Sequence, residues 1–375
     1  MMALNLTRLI NKVNEMDVDE RICTQSLLKE WKDTAPLFQK NILINCHLTT
    51  ATLILVELFL FSGAKIKLTC TEGLVCHDSI KNIISELGIY LDPNEVLLEQ
   101  YKEQFDVILD CGAHLANSMK PNKGFVELTY VEPKKYKLTK CPIISVDRGL
   151  IKKIETAYGT GDGFVRAIKQ IYSKDDIDFK VKTYMIFGYG KVGQGIASCL
   201  VEAGVLPKNI IIIEANKLRK NRAAKEGFYS LFIPNDLDVV KELICRTHCI
   251  VTATGRKNSI SRILNYKDFK QVEYLANMGT YDEWGDAFPV DSILHQKRPL
   301  NFMLDYPTRI CYLDPIFAVL ACATLDILDQ ANAQEFMVNK PCLHTEKKVL
   351  NTWLHNSRVH PNMKKLCLNE LMTHV

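Results

Sequence analysis

The sequence predicts two doubly wound α/β domains, one of them a Rossmann-type NAD domain, with a cleft between them. Three observations carry that expectation. A chain of 375 residues exceeds what one ordinary core organises and fits two domains. Short apolar runs alternate with helix-length segments, and the runs are continuous rather than alternating, as a parallel sheet covered on both faces requires. A glycine pattern, Gly188-x-Gly190-x-x-Gly193, stands between a strand-like run and a helix-like one.

Element by element, NILIN (41–45) reads as a strand. A helix follows over about 49–62, closed by Gly63, since glycine after the last apolar-periodic residue is a C-cap signal. KIKLTC (65–70) is the next strand, and 77–87 a helix closed by Gly88. FDVILD (105–110) and CPIISV (141–146) complete the strands of the first domain. Residues 147–180 read as a connector that starts helical, breaks at Gly159, Gly161 and Gly163, and resumes. The second domain opens with TYMIFGYG and continues through NIIIIEA (209–215), THCIVTATG (247–255) and VEYLANMG (272–279). RICYLD (309–314) adds a further strand, 315–335 is a long helix, and 340–375 shows only weak periodicity. The elements thus divide the chain into a first α/β domain, the connector 147–180 and a second α/β domain beyond it.

Composition excludes several classes. Apolar residues at 47% and charged residues at 24% are globular values. A formal charge of +4 makes no nucleic-acid case, and Lys364 and Lys365 form only a local basic pair. The start, MMALNLTRLI, lacks the pattern of a secretory signal. The most apolar stretch, 53–61, is interrupted by Glu57 and is too short for a bilayer, so no membrane role is expected. Thirteen cysteines form no CxxC, and Cys245 and Cys249 have no second pair to complete a zinc site. They read as reduced, mostly buried thiols of a cytoplasmic protein, with no metal.

The glycine turn assigns roles by position. Gly188 permits the tight turn, Gly190 lets backbone approach a pyrophosphate, and Gly193 permits close helix packing. Tyr189, Lys191 and Val192 complete the loop, and the following helix offers its N-terminal amides to the anion. Glu214, 24 residues beyond Gly190, is placed to accept from the ribose hydroxyls and to repel a 2′-phosphate, which favours NAD; Lys217, Arg219 and Lys220 work against that preference. Thr254-Gly255, and Asn277 with Gly279, end later strands on the expected ligand edge. Each taken alone reads equally as an ordinary turn.

Over roughly 40–335 the chain resembles the S-adenosylhomocysteine hydrolases, the NAD-dependent adenosylhomocysteinases. The resemblance rests on NCHLTTATLILVELFLFSGAKI, VILDCGAHLAN, PIISVDRGLIKKIETAYGTGDG, FGYGKVGQGIA and YLANMGTYDE, in the family's order and spacing. It implies a split substrate-binding-like domain, here 1–160 with about 330–375, and an NAD domain, here 181–325, joined by hinge helices within 147–180. The implied chemistry is oxidation of a nucleoside 3′-hydroxyl, elimination of homocysteine, addition of water, and reduction. It also implies a homodimer or other homo-oligomer.

The site residues carry over unevenly. His47 and Thr49 match the family's substrate-side histidine and threonine, while the adenine-contacting glutamate falls on Ala51. His47 also suits a simpler role, capping the helix that begins near Thr49. The catalytic aspartate of the family falls on Cys111, and its catalytic glutamate on Leu128, beside Glu127 and Thr129. Its lysine falls on Ile151 with Lys152 adjacent, its aspartate on Glu155, and the next asparagine on Thr156. Lys152 and Glu155, three apart on a helix, read either as a proton-transfer pair or as a surface ion pair. Asn277-Met278-Gly279-Thr280 loses the family's histidine, and its C-terminal lysine–tyrosine arm finds no match in 340–375.

The leading expectation is an NAD-dependent enzyme that oxidises a hydroxyl of a nucleoside-like or other small polar substrate. Lys152 or Glu155 would be the base, with His47 and Cys111 at the leaving group. Adenosylhomocysteine hydrolysis itself, a hydroxy-acid dehydrogenase using Arg148 or Arg256, and a catalytically reduced NAD- or nucleoside-binding protein acting through a partner remain open alternatives.

Overall fold

The computed structural model describes residues 2–101, 104–129, 133–136, 139–233, 235–329, 338–356 and 358–372. Eleven strands lie among these residues. They are β1 (Asn41–Asn45), β2 (Lys65–Thr69), β3 (Val107–Asp110), β4 (Gly124–Glu127), β5 (Ile143–Ser145), β6 (Tyr184–Phe187), β7 (Ile210–Glu214), β8 (Tyr229–Phe232), β9 (Cys249–Thr252), β10 (Tyr274–Asn277) and β11 (Val338–Asn339). They form two sheets, ordered β11-β5-β4-β3-β1-β2 and β10-β9-β6-β7-β8. Every pairing is parallel. Each sheet reverses its winding once, between β1 and β3 in the first and between β6 and β9 in the second. Such switch points open a crevice at the carboxyl ends of the strands. The α/β architecture expected from the apolar runs is present: β3, β4, β6 and β7 are buried along their whole length.

The chain divides into a unit of residues 1–152 and 310–375, and a unit of residues 153–309. The boundaries read from the sequence differ at two places. The segment taken as a connector gives most of its length to the second unit. The long helix taken to begin in the second domain belongs to the first.

In the first unit that helix runs Ile310–Asp329, so RICYLD is helical and not a strand. A six-residue apolar run with no flanking turn does not distinguish the two. The helix contains Pro315, which cannot donate to the Cys311 carbonyl four residues back. Trp353 supplies the missing donor, its Nε1 lying 2.7 Å from the Cys311 oxygen. Asp314 accepts from the amides of Cys23 and Thr24 at 2.6 and 2.9 Å, anchoring the start of the helix Ile22–Trp31. This is the longest apolar helix described, with mean hydropathy 1.8, and 78% of its apolar window is buried within the fold. The stretch 53–61 is therefore not the most membrane-like segment of the chain, and its Glu57 is buried in an ion pair with Arg21 at 3.0 Å. The weakly periodic C-terminal segment forms the helices Leu343–Leu354 and Pro361–Met372. Residues 330–337, where the expected helix 315–335 ends, lie outside the described residues.

In the second unit the three glycines of 159–163 do not break the chain. A π-helical turn, Ile154–Gly159, passes directly into the helix Thr160–Ser173. The glycines serve close approach instead. A Cβ on Gly161 would collide with the Gly195 carbonyl, and one on Gly195 with the Ala157 carbonyl, so this helix lies backbone to backbone against Lys191–Glu202. In the core of this unit Phe269 packs edge to face on Trp284 and Phe288, which lie tilted against each other, with ring centroids 5.1–5.4 Å apart.

Gly195→Ala should lower unfolding stability by about 1–3 kcal/mol, the usual range for forcing an extra methyl into a packed contact. A denaturation midpoint equal to wild type would show that the two helices separate without cost.

Candidate functional site

In the first unit the strand ends at the switch point bring polar side chains together beneath the loops they terminate. Asp110 closes β3 and is buried. It accepts from Asn45 Nδ2 at 2.8 Å, from the Cys111 amide at 2.9 Å and from the Leu115 amide at 2.8 Å. Glu127 closes β4 and collects five donors. They are the amides of Gly112, Ala113 and Thr129 at 2.9, 3.0 and 2.8 Å, the Thr129 hydroxyl at 2.9 Å and the Tyr136 hydroxyl at 2.5 Å. Burial and the neighbouring Asp110 nevertheless push Glu127 up to about 7. The alignment placed Leu128 at the family's catalytic glutamate; the structure sets a carboxylate one residue earlier, at the strand end. Its signal in the sequence was a lone acid closing an otherwise apolar run.

Cys111 lies against this pair. Burial and Glu127 push its thiol up to about 12, while Lys152 and the Thr129 hydroxyl act in the opposite direction. Cys111, Thr129 and Lys152 are thus brought together, with Glu127 and Asp110 as unforeseen members. Lys152 is buried and follows a turn pinned by Glu346, which accepts the Ile151 amide at 3.0 Å. A Cβ on Gly149 would meet the same carboxylate.

His47 follows β1. Its Nδ1 accepts the Val75 amide at 2.9 Å, so the neutral ring carries its proton on Nε2. The ring is therefore not the cap of the following helix. No side chain caps that helix; the Thr52 hydroxyl instead braces the turn before it, accepting the Thr49 amide at 3.1 Å and donating to the His47 carbonyl at 2.6 Å. His114, which sequence reasoning passed over, stands 2.7 Å from the Thr71 hydroxyl through Nδ1. Burial and Lys135 lower its pKa. Glu155 and Thr156 belong to the second unit, where the Thr156 hydroxyl donates to Glu155 at 3.1 Å. Both sit in the π-helical turn, so the α-helical spacing that would set Glu155 on one face with Lys152 is interrupted.

The second unit carries the glycine turn at the β6–β9 switch point. Gly188 has φ +99°, and a Cβ there would strike the Ala253 carbonyl. Gly193 sits against the Gly188 carbonyl in the same way. Gly190 differs: the nearest atom to a Cβ there is an Arg219 guanidinium nitrogen at 3.8 Å. Its φ of −78° suits any residue, and it precedes the first turn of Lys191–Glu202. Space is thus kept open above a helix N-terminus, whose leading amides have no intrahelical acceptor. The donor set at Lys191, Val192 and Gly193 fits a pyrophosphate.

Other expected ligands turn inward. Tyr189 is fully buried and its hydroxyl bonds Glu226. Glu214 accepts the amides of Tyr189, Ala215 and Asn216 at 2.6, 2.8 and 2.8 Å, two on Oε1 and one on Oε2. Capacity therefore remains on Oε2 for a ribose hydroxyl. Asn277 is saturated, giving its amide hydrogens to the carbonyls of Gly279, Tyr281 and Lys297 and accepting the Thr252 hydroxyl. It organises the loop instead of facing out of it. The amides of Thr254 and Gly255 are taken by the buried Glu283 at 2.8 and 2.6 Å. Gly279 leaves room for that same carboxylate. Lys297 holds the far side of the loop through Asp282 at 3.1 Å, after three consecutive residues with left-handed φ, His295 to Lys297.

These contacts make Gly190 and Glu127 testable. Gly190→Ala should leave the melting temperature within a degree or so yet weaken NAD binding about tenfold or more by calorimetry, whereas Gly193→Ala should cost stability. Equal NAD affinity in Gly190→Ala would place the pyrophosphate elsewhere. For Glu127, a carboxyl that holds its proton more tightly folded than unfolded stabilises the fold at low pH. That contribution is lost as pH rises from about 4.5 through about 7. Glu127→Gln should flatten this part of the stability curve, and an unchanged slope would exclude Glu127 as its source.

Comparison with known proteins agrees with the geometry. Residues 156–297 match the S-adenosyl-L-homocysteine hydrolase NAD binding domain. The adenosylhomocysteinase of Sulfolobus acidocaldarius is 27% identical over 289 residues, covering 69% of this chain and 64% of its own length. The S-inosyl-L-homocysteine hydrolase of Methanococcus maripaludis is 26% identical over 286 residues, covering 68% and 64%. The chain thus spans less than two thirds of the length of these relatives. A dipicolinate synthase from Bacillus halodurans superposes with a TM-score of 0.49 at 11% identity, over 77% of this chain and 98% of that one, a likeness too remote to argue from. The resemblance read from the five sequence segments is supported: NAD is the cofactor of the second unit, and the chain is similar to the S-adenosylhomocysteine hydrolases over 68–69% of its length.

Proposed function

We propose that the protein is an NAD-dependent enzyme that oxidises a hydroxyl of a nucleoside-like substrate at an altered adenosylhomocysteinase-type site. The observation that carries the reading is the buried Lys152 set against Cys111, Glu127 and Thr129 at the carboxyl edge of the first sheet. The bound cofactor supplies a hydride acceptor. Lys152 Nζ would take the hydroxyl proton, beside Cys111, whose surroundings include the Thr129 hydroxyl. The His47 ring, with Nδ1 fixed by the Val75 amide, offers Nε2–H to a leaving or entering group. Ala51, buried, stands where the resemblance puts an adenine-contacting glutamate, so a carboxylate does not read the base here. The named relatives act on adenosyl and inosyl compounds, which supports a nucleoside whose base is loosely specified.

A second reading, nucleotide binding without turnover, is favoured by Cys111 alone. A thiol held up to about 12 is neutral near pH 7 and does not replace the family's carboxylate anion.

Absorbance at 340 nm distinguishes the two. With NAD and a panel that includes S-adenosylhomocysteine and its inosyl analogue, wild type should form bound NADH. Lys152→Ala should slow that step about 10²–10⁴-fold while leaving the NAD dissociation constant nearly unchanged. Bound NAD with no NADH on any substrate would establish the binding reading. Unchanged turnover in Lys152→Ala would remove the lysine from the chemistry.

A further inference from the structure

The cysteines carry a feature that the NAD reading does not use. Four of them gather at the strand ends of the first sheet. Cys46 follows β1, Cys70 follows β2, Cys111 follows β3, and Cys76 ends the loop after β2. The field of Cys111 and of Cys70 reaches Cys46, and that of Cys76 reaches Cys70. Cys46, Cys70 and Cys111 are buried, and Cys76 is exposed. No group of three or more His, Cys, Asp or Glu side chains placed to hold a metal ion forms among the described residues.

Backbone geometry explains why the outer two meet. The residues between them, 71–75, fold back on themselves, with the Leu74 amide bonded to the Thr71 carbonyl at 3.1 Å. The end of the loop is held by Leu48, whose amide donates to the Val75 carbonyl at 2.8 Å and whose carbonyl accepts the His77 amide at 2.9 Å. The Cys70 sulfur lies 3.5 Å from that same Val75 carbonyl. Lys81 stands near both thiols, its ammonium 4.9 Å from the Tyr90 ring centroid. A solvent-facing thiol near an ammonium, with a second thiol at the other end of the same short loop, is the microenvironment in which cysteine oxidation is site-selective.

We propose that Cys76 and Cys70 are a peroxide-responsive dithiol, Cys76 the attacking group and Cys70 the resolving one. The Cys76 sulfur attacks one oxygen of a hydroperoxide, the O–O bond breaks, and a sulfenic acid and water (or an alcohol) result. The Cys70 thiol then attacks the sulfenic sulfur, the S–S bond forms and the hydroxyl leaves as water. The two thiols together lose two electrons and two protons, and the hydroperoxide takes them up. The closed loop contains Thr71, which bonds Asn45 and His114, and Val75, which bonds His47. In so far as His47 has the role proposed above, the disulfide fixes its loop in one conformation.

The test needs neither NAD nor substrate, so its failure is separate from failure of the enzymatic reading. The full-length protein is treated with hydrogen peroxide, remaining thiols are alkylated, and tryptic peptides are mapped by mass spectrometry. Leu68–Lys81 carries both residues on one peptide. In wild type this peptide should lose two hydrogens, refuse alkylation, and regain both thiols with dithiothreitol. In Cys70→Ser, Cys76 should persist as a sulfenic acid trapped by dimedone. In Cys76→Ser, Cys70 should stay reduced. Two alkylatable thiols on the treated wild-type peptide, while exposed Cys245 or Cys342 is oxidised, would overturn the proposal, as would an oxidised Cys70 in Cys76→Ser.

Discussion

Buried carboxylates that gather backbone amides are the constraint on which both units depend. Asp110 and Glu127 hold the loops after β3 and β4, Glu214 the turn after β6, and Glu283 the loop after β9. Asp314 holds the start of a helix in the first unit, and Glu346 the turn before Lys152. An isolated buried charge costs far more than one ordinary interaction returns. Each of these acids is tolerable only because N–H donors converge on it, and charge-assisted bonds of that kind are short and strong. The loops consequently take the shape that satisfies the acid. Strand-end loops are the ligand-bearing parts of a parallel sheet, so what the acids fix is the site itself.

The same logic clarifies the thiol at position 111. Asp110 already stands close enough to Glu127 to raise its pKa in a dry pocket. A third anion between them would add to that repulsion. A neutral thiol, bonded to Thr129 and near Lys152, does not. The substitution that weakens the likeness to the family's chemistry thereby eases the electrostatics of its own surroundings.

Much of the framework was legible because parallel strands buried on both faces must be apolar throughout. The glycine turn was legible because only glycine accommodates the Ala253 carbonyl at position 188. Gly161 misled, since a glycine required by a neighbouring backbone looks the same in sequence as one that ends a helix. Residues 310–314 misled because a helix buried on all sides has no polar face to mark its period. Glu127 was passed over in favour of its neighbour because an alignment counts positions, whereas the end of a strand decides which side chain enters the pocket. Glu283, Asp314 and Glu346 gave no local signal; their partners lie 28, 290 and 195 residues away.

Those separations bear on how the chain is made. The helix Ile22–Trp31 needs Asp314 to receive its first amides, and the Cys311 carbonyl needs Trp353. On a ribosome the first unit must therefore wait until Trp353 has emerged. The second unit, continuous from 153 to 309, has every residue it requires well before that. Synthesis completes the inserted unit first and leaves the surrounding one open, its apolar strands exposed for the time taken to translate an entire domain. During that interval, nascent-chain chaperones would find their binding surface on residues 1–152.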